Sequence, residues 1–202
     1  MRDDDRVLEA IERSAAMTGR IVPGIGVDQW RVCTPCAGWT VRDVLNHVVG
    51  GMRIFAAELS GREPEAEHEA DWLGGDPVEA YAAAAASDLA AWRNPAALAG
   101  TVDISLGRLP ARFAAVIHLV ELLAHGVDLA VATDQLDLVD EELCDEVLGV
   151  LVGLGGVDAY RVPGIFGPEV GTAPDAPAHE RLAGYLGRDL DHLTVAASGA
   201  AR

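Results

Sequence analysis

Apolar residues recur at helical spacing along most of the chain. After Thr40 they fall at positions 41, 44, 45, 48, 52, 55 and 59, an i, i+3, i+4 stripe over about five turns. A second stripe occupies positions 113, 116, 117, 120, 124, 127 and 131. Weaker helical patterns cover the N-terminal segment and an alanine-rich segment. The pattern therefore predicts four long helices, at 5–22, 40–60, 76–93 and 111–133.

Residues typical of helix ends stand at the borders of these segments. Thr40 is followed three residues later by Asp43, which is close to a capping box. Asp76-Pro77 combines an N-cap aspartate with proline at the first helical position. Asn94-Pro95 ends the third segment, since the residue before a proline avoids helical geometry. The helix borders are thus predicted by local chemistry as well as by periodicity.

Shorter elements follow or connect the four helices. Residues 140–154 and 179–192 have patterns that favour two more helices, and 61–75 is an acidic loop. Val102, Ile104 and Leu106 alternate with polar residues next to Gly107, which predicts a short strand or ribbon.

The predicted fold class is all-α, a four-helix bundle with a minor β element. The loops are longer than an up-and-down bundle needs, so crossover connections are expected. We expect one domain over residues 1–202, with a bundle core at 5–133 and a helical and loop extension at 134–202.

Composition and charge limit the classes of partner that the chain is expected to bind. The chain has 202 residues, 50% of them hydrophobic, and a net charge of −17, so a core is expected and phosphate backbones would be repelled. Nucleic acid and anionic membrane surfaces are therefore not expected as partners. No apolar run looks long enough to span a bilayer, and the N-terminus is not a secretory leader. These observations predict a cytoplasmic protein.

Three cysteines, Cys33, Cys36 and Cys144, leave two interpretations open. Cys33 and Cys36 form a C-x-x-C, but a zinc ribbon needs a second such pair, which the sequence lacks. A redox pair would need a βαβ context that is not predicted here. The alternative is local packing ahead of the second helix, and the role of both residues stays open at this point.

Candidate metal ligands occur on two of the predicted helices. Glu121 and His125 are i, i+4 neighbours and lie on one helix face about 6 Å apart along the axis. Asp128 follows on the same flank one turn later. His47 lies on the flank of the 40–60 stripe, so a seam between the two helices would bring it opposite Glu121 and His125. Two histidines and a carboxylate would hold a metal with one position open.

Alternatives for these residues stay open from spacing alone. A Glu–His surface pair and a lone helix histidine would explain the same residues without a metal. Small residues at the seam, Gly50, Gly51 and Ala124, would leave room for an ion. His118 lies roughly 10.5 Å along the axis from His125, too far to share an ion, and is expected at the surface or behind the ligands. No role is predicted for the other histidines, His68, His179 and His192.

Two segments carry a resemblance to a known family. Thr34-Pro-Cys-Ala-Gly-Trp-Thr-Val-Arg-Asp-Val-Leu-Asn-His47 and His125-Gly-Val-Asp-Leu-Ala-Val-Ala-Thr133 resemble signatures of DinB-like proteins of the mycothiol-dependent maleylpyruvate isomerase N-terminal type. The stretch Phe166-Gly-Pro-Glu-Val170 is similar to single-domain members. The resemblance covers nearly the whole chain and implies a DinB-like four-helix bundle.

The resemblance also implies a chemistry. It places a divalent metal, zinc or nickel, on His47, Glu121 and His125, with the open position binding a low-molecular-weight thiol such as mycothiol. The metal would present the thiolate to an electrophilic substrate, as in a transferase or isomerase. Asp128 is then expected behind the ligands or in helix packing, and its role in orienting His125 is less expected because it lies nearly a turn away. The residues after the bundle are too few for the additional C-terminal domain of the isomerase itself.

Other functions remain alternatives. The same fold would serve a non-enzymatic metal- or ligand-binding module or sensor, or a helical dimerisation module with incidental histidines. A homodimer is compatible with the alanine-rich 78–91 segment. Arg42 and Arg188 are candidates to hold an anionic substrate, with surface salt bridges as the competing explanation.

Overall fold

The computed structural model describes residues 3–104, 107–162 and 165–190. The helices within these ranges are α1 (Asp3–Ile21), α2 (Val41–Leu59), α3 (Pro77–Trp92), α4 (Ala111–Ala132), α5 (Glu141–Gly153) and α6 (Ala178–Tyr185), and the strands are β1 (Thr101–Ile104) and β2 (Gly107–Pro110). The all-α prediction with a minor β element is confirmed. The last helix is shorter than predicted because α6 ends at Tyr185, and His192 lies outside the described residues.

Side-chain caps begin three of the helices. At α2 the Thr40 hydroxyl accepts from the backbone of Asp43, whose carboxylate in turn accepts from the Thr40 backbone. Asp76 accepts from the backbone of Glu79 at the start of α3. Asp140 caps α5 in the same way. Each cap satisfies backbone N–H groups that the first helical turn leaves without partners.

The bundle has a crossover. Helix α1 packs against α4 and α3, while α2 packs against α3 and α4. Helices α1 and α2 are therefore diagonal partners, although they follow each other in the chain. The segment 22–40 crosses the end of the bundle between them. This crossing sets α2 beside α4, which is the arrangement that the candidate ligands need.

Helix α4 is the most buried element, and here the predicted stripe is partly wrong. Phe113, assigned to the buried face, is 37% exposed, while Ala114 and Ala115 are fully buried. From Leu122 to Ala130 every residue is buried, because neighbours pack around α4 on several sides. A helix surrounded in this way has no polar face to define a stripe.

The same property corrects an expectation about membranes. By length and composition alone α4 is apolar enough to cross a bilayer, but 78% of its most apolar window is buried inside the protein. Its hydrophobicity is that of a central bundle helix.

The remaining elements lie around the bundle. Strands β1 and β2 pair antiparallel with Thr101 opposite Pro110 and Ile104 opposite Gly107, as the predicted ribbon requires. Leu106, which the pattern placed in this ribbon, lies outside the described residues. In the extension, α5 packs against α6 and α6 contacts α4. The extension thereby reaches the central helix.

Candidate metal centre

The loop before α2 places an aromatic ring over the candidate site. The amide of Thr34 donates to the carbonyl of Trp39 at 2.9 Å, and Cys33 forms a β-bridge with Thr40. This closed loop holds the Trp39 ring edge-on to His47, with centroids 4.7 Å apart, and stacked on His125 at 5.7 Å. One side of both imidazoles is therefore covered by an apolar surface.

The structure brings together the three predicted ligands. His47 Nε2 lies 3.0 Å from Oε2 of Glu121, and His125 Nε2 lies 3.4 Å from the same oxygen. One donor atom from each of these three residues lies within 4.8 Å of the other two. Ligands bound tetrahedrally at about 2.1 Å stand about 3.4 Å apart, so small shifts would suffice to hold an ion. Two imidazole nitrogens and a carboxylate oxygen are a donor set suited to zinc and similar divalent ions.

The protonation of the three groups follows from their burial and contacts. Burial lowers the pKa of His47 and outweighs its contact with Glu121. Burial acts in the same direction on His125, but contacts with Asp128 and Glu121 outweigh it and raise that pKa to about 9. The pKa of Glu121 lies well below its usual value, since both histidines outweigh the effect of burial. A metal bound here would have to displace a proton, as is general for histidine ligands.

The three side chains lie at the floor of a cleft of about 1290 Å³. Glu121 is 38% exposed and His47 27%, so two of the three candidate ligands are open to it. One wall is acidic and comes from the loop after α2, with Glu63, Glu65, Glu67 and Glu69. Residues of the extension also line the cleft, among them Arg161, Phe166, Leu186 and Arg188. The cleft has room for a small organic molecule beside an ion.

Comparisons with known proteins identify the family of this chain. A family model described as the mycothiol maleylpyruvate isomerase N-terminal domain matches residues 11–130. The chain belongs to this family. Two relatives from Mycobacterium tuberculosis, the uncharacterized proteins Rv0738 and MT0763, are each 32% identical over 185 residues, covering 91% of this chain and 98% of theirs.

Solved structures show the same fold. Crystal structures of the mycothiol-dependent maleylpyruvate isomerase and of a histidine-to-alanine mutant of it match with TM-scores of 0.52 and 0.55, at 15% identity. Each match covers 77% of this chain and 73% of the other. The likeness confirms the DinB-like fold that the two signature segments predicted.

In this isomerase-family chain, Asp128 lies closer to His125 than the sequence indicated. Its Oδ2 accepts from Nδ1 of His125 at 2.9 Å. The contact favours the orientation of His125, which was the less expected role, because helical side chains lean towards the N-terminus and Asp128 leans back over the turn that carries His125. A carboxylate on one ring nitrogen leaves the other nitrogen facing Glu121 and the cleft.

The two candidate arginines differ. Arg42 forms an exposed pair with Asp71 at 3.0 Å, as the surface salt-bridge interpretation predicts. Arg188 is only 8% exposed and pairs with Asp128 at 3.4 Å, so for it that interpretation is wrong. No local pattern indicates this contact, which joins residues 60 positions apart.

His68, to which no role was assigned, packs directly behind His47. Its ring stacks on the His47 ring with centroids 4.3 Å apart, and its Nε2 donates to the His47 carbonyl at 3.0 Å. Gly50 makes this packing possible: a Cβ there would lie 2.7 Å from the Trp72 ring and 2.9 Å from His68. Gly50 therefore provides space for these two rings and not, as predicted, for the ion.

His118 belongs to a different cluster, so the expectation that it lies at the surface or behind the ligands is wrong. It is 2% exposed, and its ring lies 4.3 Å from Phe55 and 5.7 Å from Trp92. Its Nε2 lies 2.8 Å from Oδ2 of the fully buried Asp88 on α3. The prediction that His118 would not share a site with His125 agrees with this separate partner. His179, in turn, pairs with Glu141 at the contact between α5 and α6.

The cysteines are free thiols in different surroundings. Cys33 is exposed and Cys144 is buried. Cys36 lines the cleft, and its sulfur lies within 4.8 Å of donor atoms of His125 and Asp128. Burial, assisted by the charge of Asp128, raises the pKa of Cys36 to about 11. A thiol with a raised pKa is a poor nucleophile, so the geometry favours the packing interpretation over the redox one.

Proposed function

We propose that this chain binds a divalent metal ion, zinc or nickel, through His47, Glu121 and His125. With the ion bound, it would activate a low-molecular-weight thiol of the mycothiol type for transfer to, or isomerisation of, an electrophilic substrate. The observation that carries the proposal is the convergence of the three donor atoms within 4.8 Å of one another on the floor of the cleft.

The arrangement of the site supports an open coordination position. Trp39 covers one side of the two imidazoles, and His68 lies behind His47. The Glu121 carboxylate remains 38% exposed towards the cleft. Three protein ligands with one accessible side are typical of catalytic metal sites, whereas structural sites use four ligands.

The protein groups around this position have distinct tasks. A bound divalent ion supplies a positive charge that lowers the pKa of a coordinated thiol. His47, Glu121 and His125 would hold the ion, and Asp128 keeps His125 oriented through its Nδ1. Trp39 excludes water from one side of the site. The electrophile would enter along the cleft between the acidic wall and the extension.

Metal content tests the proposal most directly. Untagged protein, purified and then reconstituted with zinc or nickel, is expected to hold about one ion per chain by inductively coupled plasma mass spectrometry. His47→Ala and His125→Ala are each expected to lose it. His179→Ala is the matched control, since His179 lies at the α5–α6 contact and not in the cleft wall. No metal in the reconstituted wild type would contradict the proposal.

Thiol chemistry is the second part of the test. The loaded protein is expected to accelerate the reaction of mycothiol with a small electrophile, and His47→Ala is expected to abolish the acceleration. A loaded protein that binds thiol without turnover would instead favour the non-enzymatic metal- or ligand-binding module.

A further inference from the structure

Asp128 is a buried carboxylate with few partners. It is 1% exposed, and its Oδ2 accepts from Nδ1 of His125. Its other oxygen, Oδ1, has no hydrogen-bond partner among the described residues. A buried carboxylate needs compensating charge, because moving it out of water is costly. The orientation of His125 thus depends on whatever keeps Asp128 in place.

The extension supplies that compensating charge. Arg188 reaches Oδ2 of Asp128 with Nη2 at 3.4 Å, and its Nη1 donates to the Leu186 carbonyl at 3.1 Å. The side chain is 9% exposed, so its charge is directed into the protein. A guanidinium suits this position because its donors are fixed in a plane and can serve a backbone carbonyl and a carboxylate together.

Two contacts hold the segment that leads to Arg188. Helix α6, which precedes Arg188, packs against α5. Immediately before Arg188, Gly187 has φ +84° and lies so close to the loop at Gly167 that a Cβ would stand 2.7 Å from its Cα. These constraints leave the Arg188 backbone little freedom to move away from α4.

We propose that Arg188 is a positioning residue of the metal centre. It holds Asp128 against Nδ1 of His125, so that Nε2 stays turned towards Glu121 and the cleft. This inference rests on the proposed function for its metal, but the Arg188–Asp128–His125 contacts exist without it. The extension then contributes to the site, because α4 alone does not fix the orientation of His125.

Two measurements on full-length protein test this role. The first is Zn²⁺ affinity, from competition with a chromophoric chelator. The second is the ¹⁵N chemical shifts of the His125 ring in metal-free protein, which report where its protons reside. Arg188→Met removes the guanidinium and keeps an unbranched chain, while Arg188→Lys keeps the charge. Arg181→Met is the matched control, since it removes an arginine of the same extension that pairs with Asp145.

Arg188→Met is expected to weaken Zn²⁺ binding about 10- to 100-fold, the usual effect of losing a residue behind a metal ligand, and to move the His125 shifts. Arg188→Lys is expected to recover part of both, and Arg181→Met to bind within about twofold of wild type. Wild-type affinity and unchanged His125 shifts in Arg188→Met would overturn the inference and leave the proposed function standing.

The remaining outcomes also decide between the two proposals. If wild type binds neither Zn²⁺ nor Ni²⁺, the proposed function fails, and the role of Arg188 is then tested by the His125 shifts alone. They support it if they move in Arg188→Met and not in Arg181→Met, and refute it otherwise. If Arg188→Met does not fold by circular dichroism, Arg188→Lys takes its place with the same criteria. Wild-type affinity and shifts in the lysine variant would then overturn the inference, which expects only partial recovery.

Discussion

Two adjacent glycines in α2 allow a controlled test of how the site is packed. A Cβ on Gly50 would lie 2.7 Å from the Trp72 ring and 2.9 Å from His68, whereas one on Gly51 would meet its nearest neighbour, His68, at 3.7 Å. Trp72 cannot withdraw easily, because its amide donates to Asn46 at 2.8 Å and its indole N–H to the His68 carbonyl at 3.2 Å. Gly50→Ala is therefore expected to push against a fixed ring.

The expected magnitudes follow from two effects. Replacing glycine by alanine inside a helix stabilises it by about 1 kcal/mol, and this gain is common to both positions. Overpacking at Gly50 costs about 1–3 kcal/mol, while Gly51 has only an ordinary contact. The difference between the two variants therefore isolates the clash. At roughly 2–4 °C per kcal/mol for a chain of this size, Gly50→Ala should melt roughly 2–12 °C below Gly51→Ala.

Thermal denaturation followed by circular dichroism measures this difference. Zn²⁺ affinity measures the effect of the clash on the site, because displacing His68 disturbs its stacking on the His47 ring. Gly50→Ala is expected to bind more weakly than Gly51→Ala. Equal melting temperatures would refute the packing argument, and equal affinities would show that His68 does not support His47.

Two further predictions concern side-chain pairs away from the cleft. Removing the buried Asp88 leaves His118 without its partner at 2.8 Å, so Asp88→Ala should lower the free energy of unfolding in urea by about 3–5 kcal/mol while the metal content stays unchanged; a loss below about 1 kcal/mol would contradict this. Asp140 should contribute to acid sensitivity: burial opposes ionisation, but Arg13 outweighs it and lowers the pKa below 3.8. The ionised carboxylate therefore stabilises the protein above that pH, and this stabilisation is lost as the pH falls through the pKa of Asp140 in the folded protein. Asp140→Asn should be less stable than wild type at pH 7 and should differ less from it at pH 2–3. Urea midpoints at the two pH values measure this.

The helix borders and the candidate ligands were predictable because their signals are local. Thr40 with Asp43 and Asp76 with Pro77 each determine a helix start through groups only a few residues apart. Glu121 and His125 share a face by helical geometry alone. His47 required one further assumption, that α2 and α4 are neighbours, and the crossover between α1 and α2 makes them so.

The burial of α4 was harder to predict than the helix borders. The stripe through Phe113 assigned one buried face to a helix that is enclosed along most of its length. His118 was expected at the surface or behind the ligands from its distance to His125 along the helix, and neither position agrees with its burial against Asp88. Composition carried the missing information, since a helix that is apolar all round is typical of a bundle centre.

The contacts of Asp128 and Arg188 differ in whether local sequence patterns can predict them. The Asp128–His125 contact was within reach of helical geometry, because i, i+3 neighbours share a face and side chains lean towards the N-terminus. The Arg188 contact spans 60 positions and depends on the path of the extension through Gly187. A contact of this kind has no periodicity and no spacing rule. Arg188 places a buried positive charge against the carboxylate that orients a candidate ligand. This contact can be recognised only from the packing of the extension against α4.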